Sequence, residues 1–226
     1  MTSNHRGALL ALAAFGLFAT HDSIIKHLGG AYSPFQIVFF SVLFGFPMVT
    51  FLMMRDAEEG TLIPVHPWWT AARTLAVVVT ASTAFYAFTA LPLAQVYAIL
   101  FAAPLLITVL AIPILGERVG PRRGIAVVGG LGGVLVVLQP GATELSLGHA
   151  AALTAAVCGA FGAVIMRKIG REERSVVLML YPMMANVVLM GIAMPFVYRP
   201  MPGVDLALLA VIALLALLGT SRLIYA

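Results

Sequence analysis

Charged residues are scarce in this chain: thirteen Lys or Arg and nine Asp or Glu make up 10% of 226 residues, against 62% hydrophobic. A soluble domain carries roughly a quarter of its residues as charges to cover its surface. A mean hydropathy of +1.04 therefore excludes a soluble globular protein and calls for an integral membrane protein. The single cysteine, Cys158, rules out an intramolecular disulfide, and its place inside an apolar run suits a small buried hydrophobe. No basic run exceeds two consecutive residues and none is interleaved with aromatics, so nucleic acid is excluded as a partner and the net charge of +4 is left for topology to explain. No G-x-x-x-x-G-K-[ST] phosphate loop occurs, which argues against a built-in ATPase. His5, His21, His27, His66 and His149 are dispersed, with no H-E-x-x-H pair and no Ser/His/Asp set, so neither an enzyme, a metal site nor a cofactor is expected.

Long apolar runs are what the chain has instead. Eight can be marked, over 7–28, 34–54, 68–91, 93–115, 124–138, 147–167, 175–198 and 204–226. A bilayer core of about 30 Å needs roughly 20 residues at ~1.5 Å per residue, fewer where glycine-rich helices pack short. Pro47, Pro104, Pro113, Pro182 and Pro195 fall inside these runs, where a membrane bundle absorbs them as kinks. The start of the chain has the basic-then-apolar order of a signal peptide. However, Ala19-Thr20-His21-Asp22 offers no small-x-small cleavage site and seven apolar runs follow, so the first run is expected to remain as a span.

Basic residues orient the spans. Alternating the connections puts Arg6, Arg55, Arg73, Arg118, Arg122, Arg123, Arg167, Lys168, Arg171 and Arg174 on one side. Lys26 and Arg199 fall on the other side, and Arg222 lies within the last run. That bias predicts a cytoplasmic amino terminus and places Trp68 and Trp69 as anchors at the inner interface.

The stretch 93–141 organises the rest. Two apolar runs flank the basic turn Gly-Glu-Arg-Val-Gly-Pro-Arg-Arg, which reads as a hairpin crossing the bilayer twice, with Glu117 expected to order the turn through local pairing beside Arg118. Pro104 in the middle of the first run, the ending Leu-Gly-Glu-Arg and the glycine-rich second run resemble the end of an EamA domain, the repeat unit of the drug/metabolite transporter superfamily. Internal similarity agrees with a repeat. A shift of 141 lays Gly7 on Gly148, Lys26 on Arg167 and Gly29 on Gly170, and a shift of 139 lays residues 82–87 on 221–226. Five spans separate corresponding points, and an odd number inserts the second copy upside down, the inverted-repeat arrangement of secondary transporters.

The resulting expectation is an all-α, polytopic helical bundle of inverted five-helix repeats, with a first repeat over 1–141 and a second over 142–226. The resemblance implies ten helices where about eight are present, so the second repeat is expected to be cut short. It also implies a cavity lined by helices 1, 3, 4, 6, 8 and 9 of a complete member. Residues 21–22, 32–40 and 93–100 are most similar to bacterial riboflavin importers, with S-adenosylmethionine carriers and aromatic amino-acid exporters as close rivals.

Several residues are candidates for chemistry. His21, Asp22 and Lys26 put an imidazole, an acid and a base in one apolar run, with Asp22 and Lys26 four apart on one helical face. An ionisable group at depth costs at least ~2.5–3.5 kcal/mol on insertion scales, which marks Asp22 as functional by default. Two readings fit this trio: an ion pair at the outer rim, or a site for substrate or proton. Tyr86, Tyr97 and Gln95 suit a planar metabolite, the rings for stacking and the amide for its edge. The neighbouring Thr80, Ser82 and Thr83 serve equally well for helix packing. Asn186 lies near mid-span in reach of ligand or backbone, and Arg222 either neutralises an anionic substrate or snorkels to the interface.

The function that follows is a secondary transporter of a small organic metabolite in a bacterial inner membrane, working by alternating access, with protons as one candidate coupling ion and a homodimer left open. Riboflavin is the leading substrate. A non-transporting membrane subunit is the rival from another class.

Overall fold

The computed structural model describes residues 3–55, 61–138 and 145–224, with side chains over 12–50, 61–136 and 145–219. Among the described residues there are helices and connections and no strand. The helices are α1 (Ser3–Leu28), α2 (Pro34–Arg55), α3 (Pro67–Ala90), α4 (Leu93–Leu100), α5 (Ala103–Leu115), α6 (Pro121–Leu138), α7 (Leu147–Ile169), α8 (Ser175–Val197) and α9 (Gly203–Ile224). The protein is an all-α, polytopic membrane protein. Four stretches are long and apolar enough to cross a bilayer: Pro67–Ala90, Leu93–Leu115, Leu147–Ile169 and Ser175–Val197. Pro34–Thr50 and Gly203–Gly219 are shorter apolar helices among the described residues.

Pro34, Pro67 and Pro121 open α2, α3 and α6, positions where a missing N–H leaves no bond unmade. The fourth predicted span, 93–115, is not one helix but two. Pro104 has no N–H for the carbonyl of Leu100, and its ring crowds the preceding turn. The backbone responds with tighter bonds, Ala102 N–H to Ile99 O at 3.0 Å and Leu105 N–H to Ala102 O at 3.0 Å, and α4 ends where α5 begins. At the far end of α5, Gly116 takes a left-handed conformation (φ 71°) that closes the helix, its N–H bonding Ile112 O at 3.0 Å.

The chain forms two compact units. In the first, α1 and α9 run antiparallel. Phe18 lies against Gly219, and Tyr32, just past α1, meets Asp205 in the first turn of α9. The later half of α8 packs on α2 through Gly191 and Phe39. Ile25, Ile37, Val38, Leu209 and Ile212 are buried here.

In the second unit, α3 and α7 form the most extensive pair. Their antiparallel register is read from Leu91 against Gly148, Thr80 against Gly159 and Ala76 against Gly162. Gly148, Ala152, Ala155, Ala156 and Ala160 are all buried on α7. Lipid offers no hydrophobic drive between helices, so such small residues serve by letting backbones approach closely enough for dispersion contacts. A cluster of Ile165, Ile169 and Leu178 packs with Trp69, Ala72 and Phe161 at one end.

Candidate functional site

In the first unit, α1 brings His21 and Asp22 together, with Nδ1 of the imidazole 2.7 Å from Oδ1 of the carboxylate. Asp22 is buried and His21 half-buried. The hydroxyls on either side bond their own helix, Thr20 to Gly16 O and Ser23 to Ala19 O, which leaves the imidazole and carboxylate as the reactive groups of this segment. A desolvated carboxylate is costly, and an imidazole N–H offsets part of that cost. Lys26 follows one turn later, half-buried in the last turn of α1.

Sequence reasoning missed a second polar cluster in the same unit. Gln36 is fully buried, yet its Nε2 donates to Arg199 O at 2.7 Å and its Oε1 accepts from Arg199 N–H at 2.9 Å. One side-chain amide thus satisfies both peptide groups of a residue in the α8–α9 connection. Arg199 Nη1 donates to Ala31 O at 3.0 Å, and the Tyr32 hydroxyl donates to Asp205 Oδ2 at 2.5 Å. The bond to Asp205 holds the Tyr32 phenol above its ordinary pKa, with desolvation and the charge of Asp205 adding to it. These groups fasten the α1–α2 connection to the α8–α9 connection. Beside them is a hollow of about 440 Å³ lined by residues 29–33 and 196–199. Its only advance signal was Gln36, an amide in the opening turn of an apolar run.

In the second unit, Tyr97 of α4 stacks on Phe101 with centroids 6.1 Å apart, and its ring lies edge-on to Phe88 of α3 at 6.2 Å. Tyr86 is exposed and Gln95 half-buried, and neither side chain makes a hydrogen bond among the described residues. Thr80, Ser82 and Thr83 donate to the carbonyls of Ala76, Val78 and Val79 on their own helix, so their hydroxyls are engaged in α3 itself. Asn186 is buried on α8; its Nδ2 donates to Pro182 O at 3.0 Å while Oδ1 has no partner among the described residues. A buried acceptor left unsatisfied is a place for a donor to arrive. Arg222 lies outside the described side chains.

The basic end of the second unit is built differently from the local pairing expected of Glu117. Its Oε1 accepts from Arg167 Nη2 of α7 at 2.6 Å, so the acid ties the α5–α6 turn to α7. Arg167 wins because α7 ends beside the α5–α6 turn, where Lys168 also donates to Ile114 O at 2.8 Å and sits 4.5 Å over the Trp69 ring. Buried Glu173 accepts from the N–H of His66, the residue capping α3, at 2.5 Å, placing a carboxylate at the positive end of that helix. Glu172 pairs with His66 Nε2 at 2.6 Å. Arg73 donates to the carbonyl of Leu178. That carbonyl lies four residues before Pro182, which has no N–H to give it. Among the described residues no group of three His, Cys, Asp or Glu side chains is placed to hold a metal ion.

Four stretches long and apolar enough to cross a bilayer, with polar side chains engaged by backbone across helices, define the class: a polytopic α-helical membrane protein. The comparison with protein families is specific. The model of the EamA-like transporter family matches residues 5–139, more than half of the chain, and the chain belongs to that family, as a membrane transporter of the drug/metabolite type. No curated protein matches it.

Proposed function

We propose that the chain is a secondary carrier that takes up riboflavin across a bacterial inner membrane by alternating access, built from inverted repeats over 1–141 and 142–226. The observation that carries the transporter part of this reading is the family match over 5–139. It takes in residues 21–22, 32–40 and 93–100, the segments that resemble riboflavin importers. In this scheme Tyr86 and Tyr97 stack on the planar ring system, Gln95 and the unpartnered Oδ1 of Asn186 meet its polar edge, and His21 with Asp22 exchanges the coupling proton. Lys26 and Arg222 adjust the charge at the two ends. Two packings of similar energy then expose one site to either side in turn.

Uptake in a riboflavin auxotroph lacking its own transporter tests the proposal. Expression of the full-length protein should rescue growth on low riboflavin, and Asp22→Asn, expressed to the same level, should abolish the rescue. Failure of the wild-type protein to rescue overturns the substrate. Thermal stability across a metabolite panel separates the alternatives. A rise with S-adenosylmethionine or an aromatic amino acid reassigns the substrate, and no response to any metabolite marks a non-transporting subunit.

A further inference from the structure

We propose that the hollow between residues 29–33 and 196–199 is a binding site for an oxyanion, a carboxylate or phosphate carried on a small organic body, separate from the substrate site proposed above. Its volume of about 440 Å³ lies within the size range of small-molecule pockets. The only formally charged side chain in its wall is Arg199, and the wall contains no carboxylate. Asp205, the acid of this cluster, does not line the hollow, and its Oδ2 is occupied by the Tyr32 hydroxyl. One N–H of the Arg199 guanidinium is given to Ala31 O, and the others have no partner among the described residues. The backbone that carries this guanidinium is held on both its N–H and its C=O by Gln36, so the cation is presented from a fixed point and an arriving anion has little ordering to do.

The rest of the wall suits the same ligand. The hydroxyls of Ser33 and Tyr198 have no hydrogen-bond partner among the described residues. Ser33 immediately precedes α2, whose first N–H groups carry the positive end of the helix. Tyr32 and Tyr198 supply rings against which an apolar or aromatic body can lie. The exposed Arg199 guanidinium and the hydroxyls pair directly with an oxyanion, which a neutral apolar ligand cannot do, and the wall itself offers a cation no carboxylate. The ligand chemistry is shared by a soluble organic acid and by the headgroup of an anionic lipid. The inference stands whether or not the protein imports riboflavin.

The test uses the full chain in phosphatidylcholine nanodiscs, titrated calorimetrically with phenyl phosphate and benzoate, and with benzyl alcohol as the neutral analogue. Saturable binding of the two anions and none of benzyl alcohol is expected. Arg199→Gln should weaken phenyl phosphate by at least about tenfold, because a charge-assisted bond is replaced by a neutral one. Tyr198→Ala, which leaves the Gln36 contact intact, should weaken it severalfold, and Asp22→Asn should leave it unchanged. Repeating the titration with phosphatidylglycerol in the discs distinguishes the sources. A loss of phenyl phosphate affinity in the wild type that Arg199→Gln does not show identifies the lipid headgroup as competitor, whereas equal affinity in both discs identifies a soluble anion. Non-saturable binding, equal binding of benzyl alcohol, or wild-type affinity in Arg199→Gln would overturn the site. Should Arg199→Gln fail to fold, wild-type affinity in Tyr198→Ala overturns it instead.

Discussion

Arg73 and Pro182 form an energetic pair that neither residue discloses alone. Within α8, the proline withholds the N–H that would bond the carbonyl of Leu178, and the guanidinium of Arg73 on α3 bonds it instead. Removing the guanidinium in Arg73→Met leaves that carbonyl without a donor in a buried residue. A bond from a charged donor contributes about 1.5–3 kcal/mol. Part of that loss is hidden, because Arg73 also carries a buried Nε with no partner, and deleting it relieves a desolvation cost. A double-mutant cycle removes the ambiguity. In Pro182→Ala the new N–H reaches Leu178, so Arg73→Met in that background gains the same relief and loses no needed bond. The difference between the two backgrounds isolates the bond itself, a coupling of about 1.5–3 kcal/mol. At roughly 2–4 °C per kcal/mol for a chain of this size, Arg73→Met should lower Tm by about 3–12 °C more in the wild type than in Pro182→Ala. Thermal unfolding of the four proteins in one detergent measures it. Polar pairs between membrane helices average about 0.6 kcal/mol, so a coupling below ~0.5 kcal/mol refutes the idea that Arg73 serves as the donor that Pro182 lacks.

Three further outcomes follow from other contacts. Gln36→Leu removes two hydrogen bonds to the Arg199 backbone and should cost about 2 kcal/mol, a fall in Tm of roughly 4–8 °C, with an unchanged Tm counting against the clasp. The raised pKa of Tyr32 means that its bond to Asp205 stabilises the fold below the ordinary phenol pKa of about 10 and is lost as pH climbs through the higher folded value. Tm of the wild type should therefore drop more steeply than that of Tyr32→Phe above pH ~10, and parallel curves would contradict it. A Cβ on Gly148 would lie 2.7 Å from Leu91 Cγ and 3.2 Å from Ala90 Cβ, so Gly148→Ala should destabilise the α3–α7 pair by about 1–3 kcal/mol. Gly132→Ala, with no atom of the described residues within 4 Å of the added carbon, should be neutral or stabilising by up to about 1 kcal/mol, and equal Tm changes in the two variants would disprove the close approach.

The helices were legible because composition and apolar run length are local properties. So was the hairpin around Gly116, where a helix-ending glycine sits beside a basic turn. The break at Phe101–Ala102 was half visible. Pro104 was seen as a kink, but whether the freed backbone bends or re-bonds depends on donors a few residues away. Of the candidate residues, His21 and Asp22 are neighbours in sequence and are found in contact. The ring row formed by Phe88, Tyr97 and Phe101 needed α3 and α4 to meet.

What the sequence determined by itself is a lipid-embedded helical chain of a transporter family, because solvent preference and helical reach are summed residue by residue. What only the tertiary structure decided is where each polar group finds its partner: Gln36 on the backbone of Arg199, Glu117 on Arg167, Arg73 on the carbonyl of Leu178. Burial forbids an unpaired polar group but does not name its mate, and in these three cases the mate lies at least fifty positions away, on a segment brought alongside only when the helices pack.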